Sequence, residues 1–230
     1  ERDDARWHLY GNIFHQGTRY QATPHAVPFL VELLADPSTQ ERDELIVLLV
    51  ALAVGYHEAF LPKGLNAERF RAALLSNEAA MAAKDRKVCE KYGLSPLADI
   101  ATYDAVKKAT PLFLSSLNDL DENVACAATY ALAWFPEVGQ ESLPQLSTLI
   151  SNARSHRATA HALLAAGLIS QNSALSIDRG KVDGLLTSSS LSVSTAAALA
   201  ACAVRTASTP YETLISALGR REEIKNEDCD

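Results

Sequence analysis

The sequence predicts an all-α chain, an α-solenoid of about five helix pairs with an irregular long-helix segment in its middle. Three observations carry that expectation. Ala-rich helical blocks recur: DENVACAATYALAWF from Asp121, SHRATAHALLAAGLI from Ser155 and SLSVSTAAALAACAVR from Ser190. Laid over one another, Ala128, Ala160 and Ala196 coincide, as do Ala131, Leu163 and Leu199. Slim side chains at fixed helical positions let neighbouring helices approach closely, which is how stacked helix pairs bury a continuous core. The chain is 48% hydrophobic yet only 7% aromatic, a balance that suits interlocking helices better than a β-sandwich. Gly and Pro are sparse and fall between the periodic segments, at Gly64, Pro96 and Pro210.

The elements follow in order. Residues 2–14 read as a helix carrying Trp7, Leu9, Tyr10, Ile13 and Phe14, broken by Gly17. Thr23 is expected to cap a second helix with Pro24 at its first position. Ser38 with Glu41 reads as the capping box of a third, running to about Tyr56. Asn66 to Tyr92 is one long charged helix or two, ended by Gly93. Leu97 to Leu117 is helical, and Pro111 kinks or restarts it. Asp121 then opens the first of the regular units, and a last helix begins at Tyr211. The whole reads as one domain over 1–220: a cap and first pair (1–60), an irregular insertion (61–96) and regular repeats (97–220). Residues 221–230 are expected to be a fraying polar tail.

Composition limits the function. With 230 residues and a net charge of −7, the long-range field repels phosphate backbones, so nucleic acid is not expected as a partner. The basic cluster Lys84, Arg86, Lys87 and Lys91 reads as the solvated face of a helix. Cys89, Cys126, Cys202 and Cys229 lie far apart without a CxxC pair, and packing as small hydrophobes in a reducing, cytoplasmic setting is the expectation. The apolar run Leu45 to Val54 is too short to span a bilayer, and no signal peptide is evident. No membrane association is expected.

The stretch LNDLDENVACAATYALA, residues 117–133, resembles the HEAT repeat, in particular its short variety with Asp before the second helix and Val then Ala on the buried face. In that pattern an Arg follows the Val. Here Ala125 stands there, which leaves the family's inter-repeat polar ladder without its Arg. Residues 7–34 look like the opening of a group of microbial HEAT-repeat proteins. The resemblance implies an αα-superhelix, whose members serve as scaffolds, adaptors, immunity-type inhibitors and occasionally enzymes.

Several residues are candidates for function. HisGlnGlyThrArgTyr at 15–20 could present His15, Gln16, Arg19 and Tyr20 to a ligand; equally, His15 and Tyr20 could cover the open end of the stack. Tyr130 and Trp134, four apart on a second helix, would anchor a peptide if Trp134 is exposed, or pack inward if it is not. His57, were it to meet a carboxylate, could do acid-base work, although it and Glu58 are expected to point about 100° apart on a helix. His156 and His161 lack the partners of a metal site, and neither metal nor cofactor is expected. The leading expectation is a non-catalytic scaffold that binds another protein through a concave face. Alternatives are a toxin-neutralising immunity-type protein, or an enzyme acting on a small molecule with His57, Glu58, Tyr103 and Asp104 in a pocket by the irregular segment.

Overall fold

The computed structural model describes residues 2–152, 155–204 and 210–227. Among them the chain is all-α, apart from one short β-hairpin. It divides into two compact units, Glu1–Leu61 with Asn66–Leu112, and Pro62–Leu65 with Phe113–Asp230. Cys229 and Thr209 lie outside the described residues.

In the first unit, α1 (Arg2–Ile13) runs directly into β1 (Phe14–His15), which pairs antiparallel with β2 (Thr18–Arg19). The connecting residues Gln16 and Gly17 both have positive φ, 49° and 83°. A two-residue turn with that backbone matches the twist of the strands it joins. Helix α2 (Thr23–Ala35) has Pro24 in its first turn as predicted, but Thr23 does not cap it. The buried Thr23 hydroxyl instead accepts from the Tyr20 N–H and donates to the Ile13 carbonyl, both at 2.8 Å, tying together the two ends of the hairpin.

The capping box predicted for α3 (Arg42–Val54) is also replaced. Asp36 Oδ1 takes both the N–H and the hydroxyl of Ser38 at 2.8 Å, a local turn that uses up the serine, and Glu41 at the helix start has φ 56°. Helix α3 ends at Gly55, φ 73°, and a 3₁₀ turn covers His57–Phe60. The long charged segment forms two helices, α4 (Ala67–Ala80), capped by Asn66, and α5 (Ala83–Tyr92), closed by Gly93 at φ 66°. Ser95 caps α6 (Pro96–Lys107) by accepting from Leu97 N–H.

Helix α6 packs against α2, α3 and α4, and Leu30, Leu34, Ile46, Leu49, Tyr103 and Val106 fill the space between. From Ile46 onward helix α3 is buried at most positions, Val47 excepted, which explains why its sequence after Glu44 is apolar and not striped. Helix α7 (Thr110–Ser116) restarts at Pro111 and carries the boundary between the units.

The second unit contains α8 (Glu122–Leu132), α9 (Gly139–Asn152), α10 (His156–Asn172), α11 (Arg179–Leu185), α12 (Leu191–Val204), α13 (Tyr211–Gly219) and α14 (Arg221–Glu227). The predicted fraying tail is thus helical through Glu227. Helix α10 lies against α8, α9 and α12, and α12 in turn meets α11 and α13. A Cβ added to Gly167 of α10 would stand 3.1 Å from Ala200 Cα of α12, so the two backbones approach as closely as small residues allow.

The N-terminal caps set the true phase of this packing. Asp121 accepts from Asn123 N–H, Ser155 from Ala158 N–H and Ser190 from Val193 N–H. Counted from those caps, Ala128, Ala162 and Ala197 are equivalent, and all three are fully buried. The overlay expected from composition is therefore out of phase: Ala131 and Leu163 are buried, whereas Leu199 is 44% exposed. Helices buried around most of their circumference carry little periodic signal, so apolarity alone could not set the register. Helices of this unit are also joined by polar contacts, α8 to α10 and α9 to α11. Arg157 donates to Asn123 Oδ1 at 2.9 Å, Ser155 meets Glu122, and Lys181 Nζ reaches the Ser147 carbonyl and hydroxyl at 2.9 and 2.7 Å.

Candidate functional site

Two sequence candidates forty residues apart meet in the first unit. The 15–20 hairpin lies on the turn that ends α3. Gly17 sits over the Tyr56 ring so closely that a Cβ there would be 2.6 Å from a ring carbon, and Phe14 meets the same ring edge-on at 6.4 Å. A Cβ on Gly55 would stand 2.3 Å from Arg19 Nη1. Both glycines also have positive φ, so the close approach and the backbone each require Gly.

Arg19 fixes the hairpin from below. It is 6% exposed, forms an ion pair with Asp99 of α6 at 2.9 Å and donates to the Gly17 carbonyl at 3.1 Å. Its Nε is buried without a hydrogen-bond partner. Burial pulls the guanidinium below its ordinary pKa and pushes the Asp99 carboxyl above the usual carboxylate range; in each case the pair's mutual attraction works the other way. Arg19 is thus a buried anchor that holds the hairpin to α6. Tyr20 is half-buried, bridged to Leu94, and the adjacent Gln21 N–H donates to the Gly93 carbonyl at 2.7 Å.

What remains on the outside is a compact patch. His15 and Gln16 form the exposed hairpin tip, and Tyr56 beside them is 56% exposed. His57 Nε2 lies 3.7 Å from Glu58 Oε1. The two side chains therefore come within ion-pair distance and do not diverge as expected, although the 3₁₀ turn that carries them sets neighbouring residues about 120° apart. Asp99, Gly55 and Tyr56 are the contributors that the sequence candidates omitted.

The other candidates are placed differently. Trp134 is 1% exposed and packs edge-on against Tyr130 at 5.9 Å in the interior of the second unit, so the pair is not an exposed anchor. Tyr103 is fully buried, with the Arg71 guanidinium 5.3 Å and Lys107 Nζ 5.8 Å from its ring centre. Asp104 receives two hydrogen bonds from Arg71 and lies 3.6 Å from Lys107. Those hydrogen bonds hold its carboxyl below the ordinary pKa and make it a weak base.

Among the described residues no cluster of His, Cys, Asp or Glu could hold a metal ion, and no helix is long and apolar enough to cross a membrane. Cys126 is buried, as expected of a thiol packed as a hydrophobe, while Cys89 is half-buried and Cys202 exposed. No protein-family model matches the chain, and comparison with curated proteins finds no match.

Proposed function

We propose that the chain is a non-catalytic helical-repeat protein that binds another protein, and that the hairpin tip and Tyr56 form part of the surface it uses. One observation carries this reading: His15 and Gln16 are presented beside an exposed tyrosine on a hairpin held rigid by two obligatory glycines and a buried ion pair. Residues bind best when their supports are already ordered, because little freedom is lost on association. Tyr is also among the side chains that dominate interface energies.

The stacking of α8, α10 and α12 in phase with their caps, joined by polar contacts, supports a HEAT-like solenoid in the second unit. Cys89, Cys126 and Cys202 form no disulfide with one another, which favours a reducing compartment, the cytoplasm. The test is a photo-cross-linking amino acid placed in cells at Gln16 or, separately, at the exposed Leu120. A discrete adduct from position 16 and none from position 120 is the expected result. Equal adducts from both, or none from position 16, would remove the hairpin from the recognition surface.

A further inference from the structure

Helix α5 is unusual because none of its ten residues is buried. A helix of that length without a packed face is marginal in water. It is tied at its N-terminal half by Arg86, which bonds the Glu78 side chain at 2.5 Å and the Glu78 carbonyl at 3.0 Å, and at its end by the Leu94 bridge to Tyr20. At about 100° per residue, Lys84, Lys87, Val88, Lys91 and Tyr92 fall within one arc of roughly 140°. All five are exposed, Val88 by 52% and Tyr92 by 58%, with Lys91 Nζ 5.1 Å from the Tyr92 ring centre. Two large apolar side chains are thus interleaved among three lysines on one exposed face.

We propose that this face of α5 docks an acidic polypeptide segment that carries apolar residues of its own. The charges complement such a ligand: three lysines supply a local positive stripe on a chain whose net charge is −7. Its width selects the class of partner. Exposed Asp85 flanks the stripe on one side and Glu90 on the other, so a single helix or strand fits between them. A flat anionic bilayer or a nucleic-acid duplex would instead be brought against both carboxylates. Val88 and Tyr92 supply the apolar contact that discriminates such a segment from a plain string of glutamates. The surface uses none of the hairpin-tip residues and stands independently of them.

The probe is a fluorescent fifteen-residue peptide of glutamates with one leucine or phenylalanine per helical turn, titrated with the full chain at about 0.05 M salt, where screening is weak. Measurable affinity is expected, with slower amide exchange across residues 83–92 on binding. Lys84→Glu/Lys87→Glu/Lys91→Glu is expected to weaken it by about tenfold or more, and Val88→Ser/Tyr92→Ser by about threefold to tenfold with the lysines intact. None of these side chains is buried, so the variants should keep the wild-type circular dichroism. Absence of binding, binding unchanged by charge reversal, or equal affinity for phosphatidylserine vesicles or an oligonucleotide duplex would overturn the proposal.

Discussion

Arg19 places its guanidinium 2.9 Å from the Asp99 carboxylate although only 6% of the arginine side chain meets solvent. Removing one partner of a buried pair leaves a charge without compensation, which costs about 3–5 kcal/mol. Asp99→Ala is therefore expected to lower the stability from urea unfolding by about that amount. The double change Arg19→Met/Asp99→Leu, which removes both charges and keeps the volume, should cost far less. Equal losses for the single and double variants would show that packing, and not the charge, is what matters there.

The glycine beneath that arginine makes a sharper comparison. Gly55→Ala combines a positive φ with a Cβ 2.3 Å from Arg19 Nη1, and should destabilise the protein by more than about 1 kcal/mol. Gly11 lies within α1 with nothing within 4 Å of a Cβ, so Gly11→Ala should be neutral or stabilising by up to about 1 kcal/mol. Thermal unfolding of the two variants side by side separates backbone strain from helix propensity.

At the α10–α12 contact, alanine and leucine should behave differently. Gly167→Ala sets a gain in helix propensity against a Cβ 3.1 Å from Ala200 Cα, so its effect is expected to be small. Gly167→Leu has no room and should cost about 1–3 kcal/mol or more, read from the urea midpoint. A leucine tolerated without loss would contradict the close packing of these helices.

Asp104 gives the stability a dependence on acid. Its folded pKa lies below the unfolded value because Arg71 and Lys107 favour the carboxylate. The stabilisation is thus present above the ordinary carboxylate pKa and is lost as pH falls through the folded one. The side chain is 40% exposed, so solvent screening keeps the effect within about 1 kcal/mol. Asp104→Asn should lower stability at pH 7 by that small amount and leave the variant closer to wild type near pH 3.

Much of this fold could be read from local chemistry, and the failures have local causes too. Gly93 ends its helix as its position suggests, because such a stop needs only neighbouring backbone carbonyl groups. Ser38 failed as a cap because Asp36, two residues earlier, competes for its hydroxyl. The phase of the Ala-rich helices was hidden because Leu132, Ala166 and Ala201 are buried alongside most of their neighbours. For the same reason nothing near Trp134 marked it as interior. The candidate site was half legible. The 15–20 segment and the His57–Glu58 pair are legible as candidates, but the packing of the hairpin on Gly55 and Tyr56, and the role of Asp99, depend on tertiary contacts that no local spacing encodes.

The binding surface is tested most directly by isothermal titration of the partner cross-linked through position 16 against the wild-type chain and a His15→Ala/Gln16→Ala/Tyr56→Ala variant. The three side chains are exposed, so the variant should retain its helical circular dichroism, with a melting temperature lowered only by the loss of the Tyr56 contacts with Phe14 and Gly17. The expected result is a loss of affinity of about tenfold or more with the fold intact. Affinity unchanged by removal of all three side chains would contradict the account.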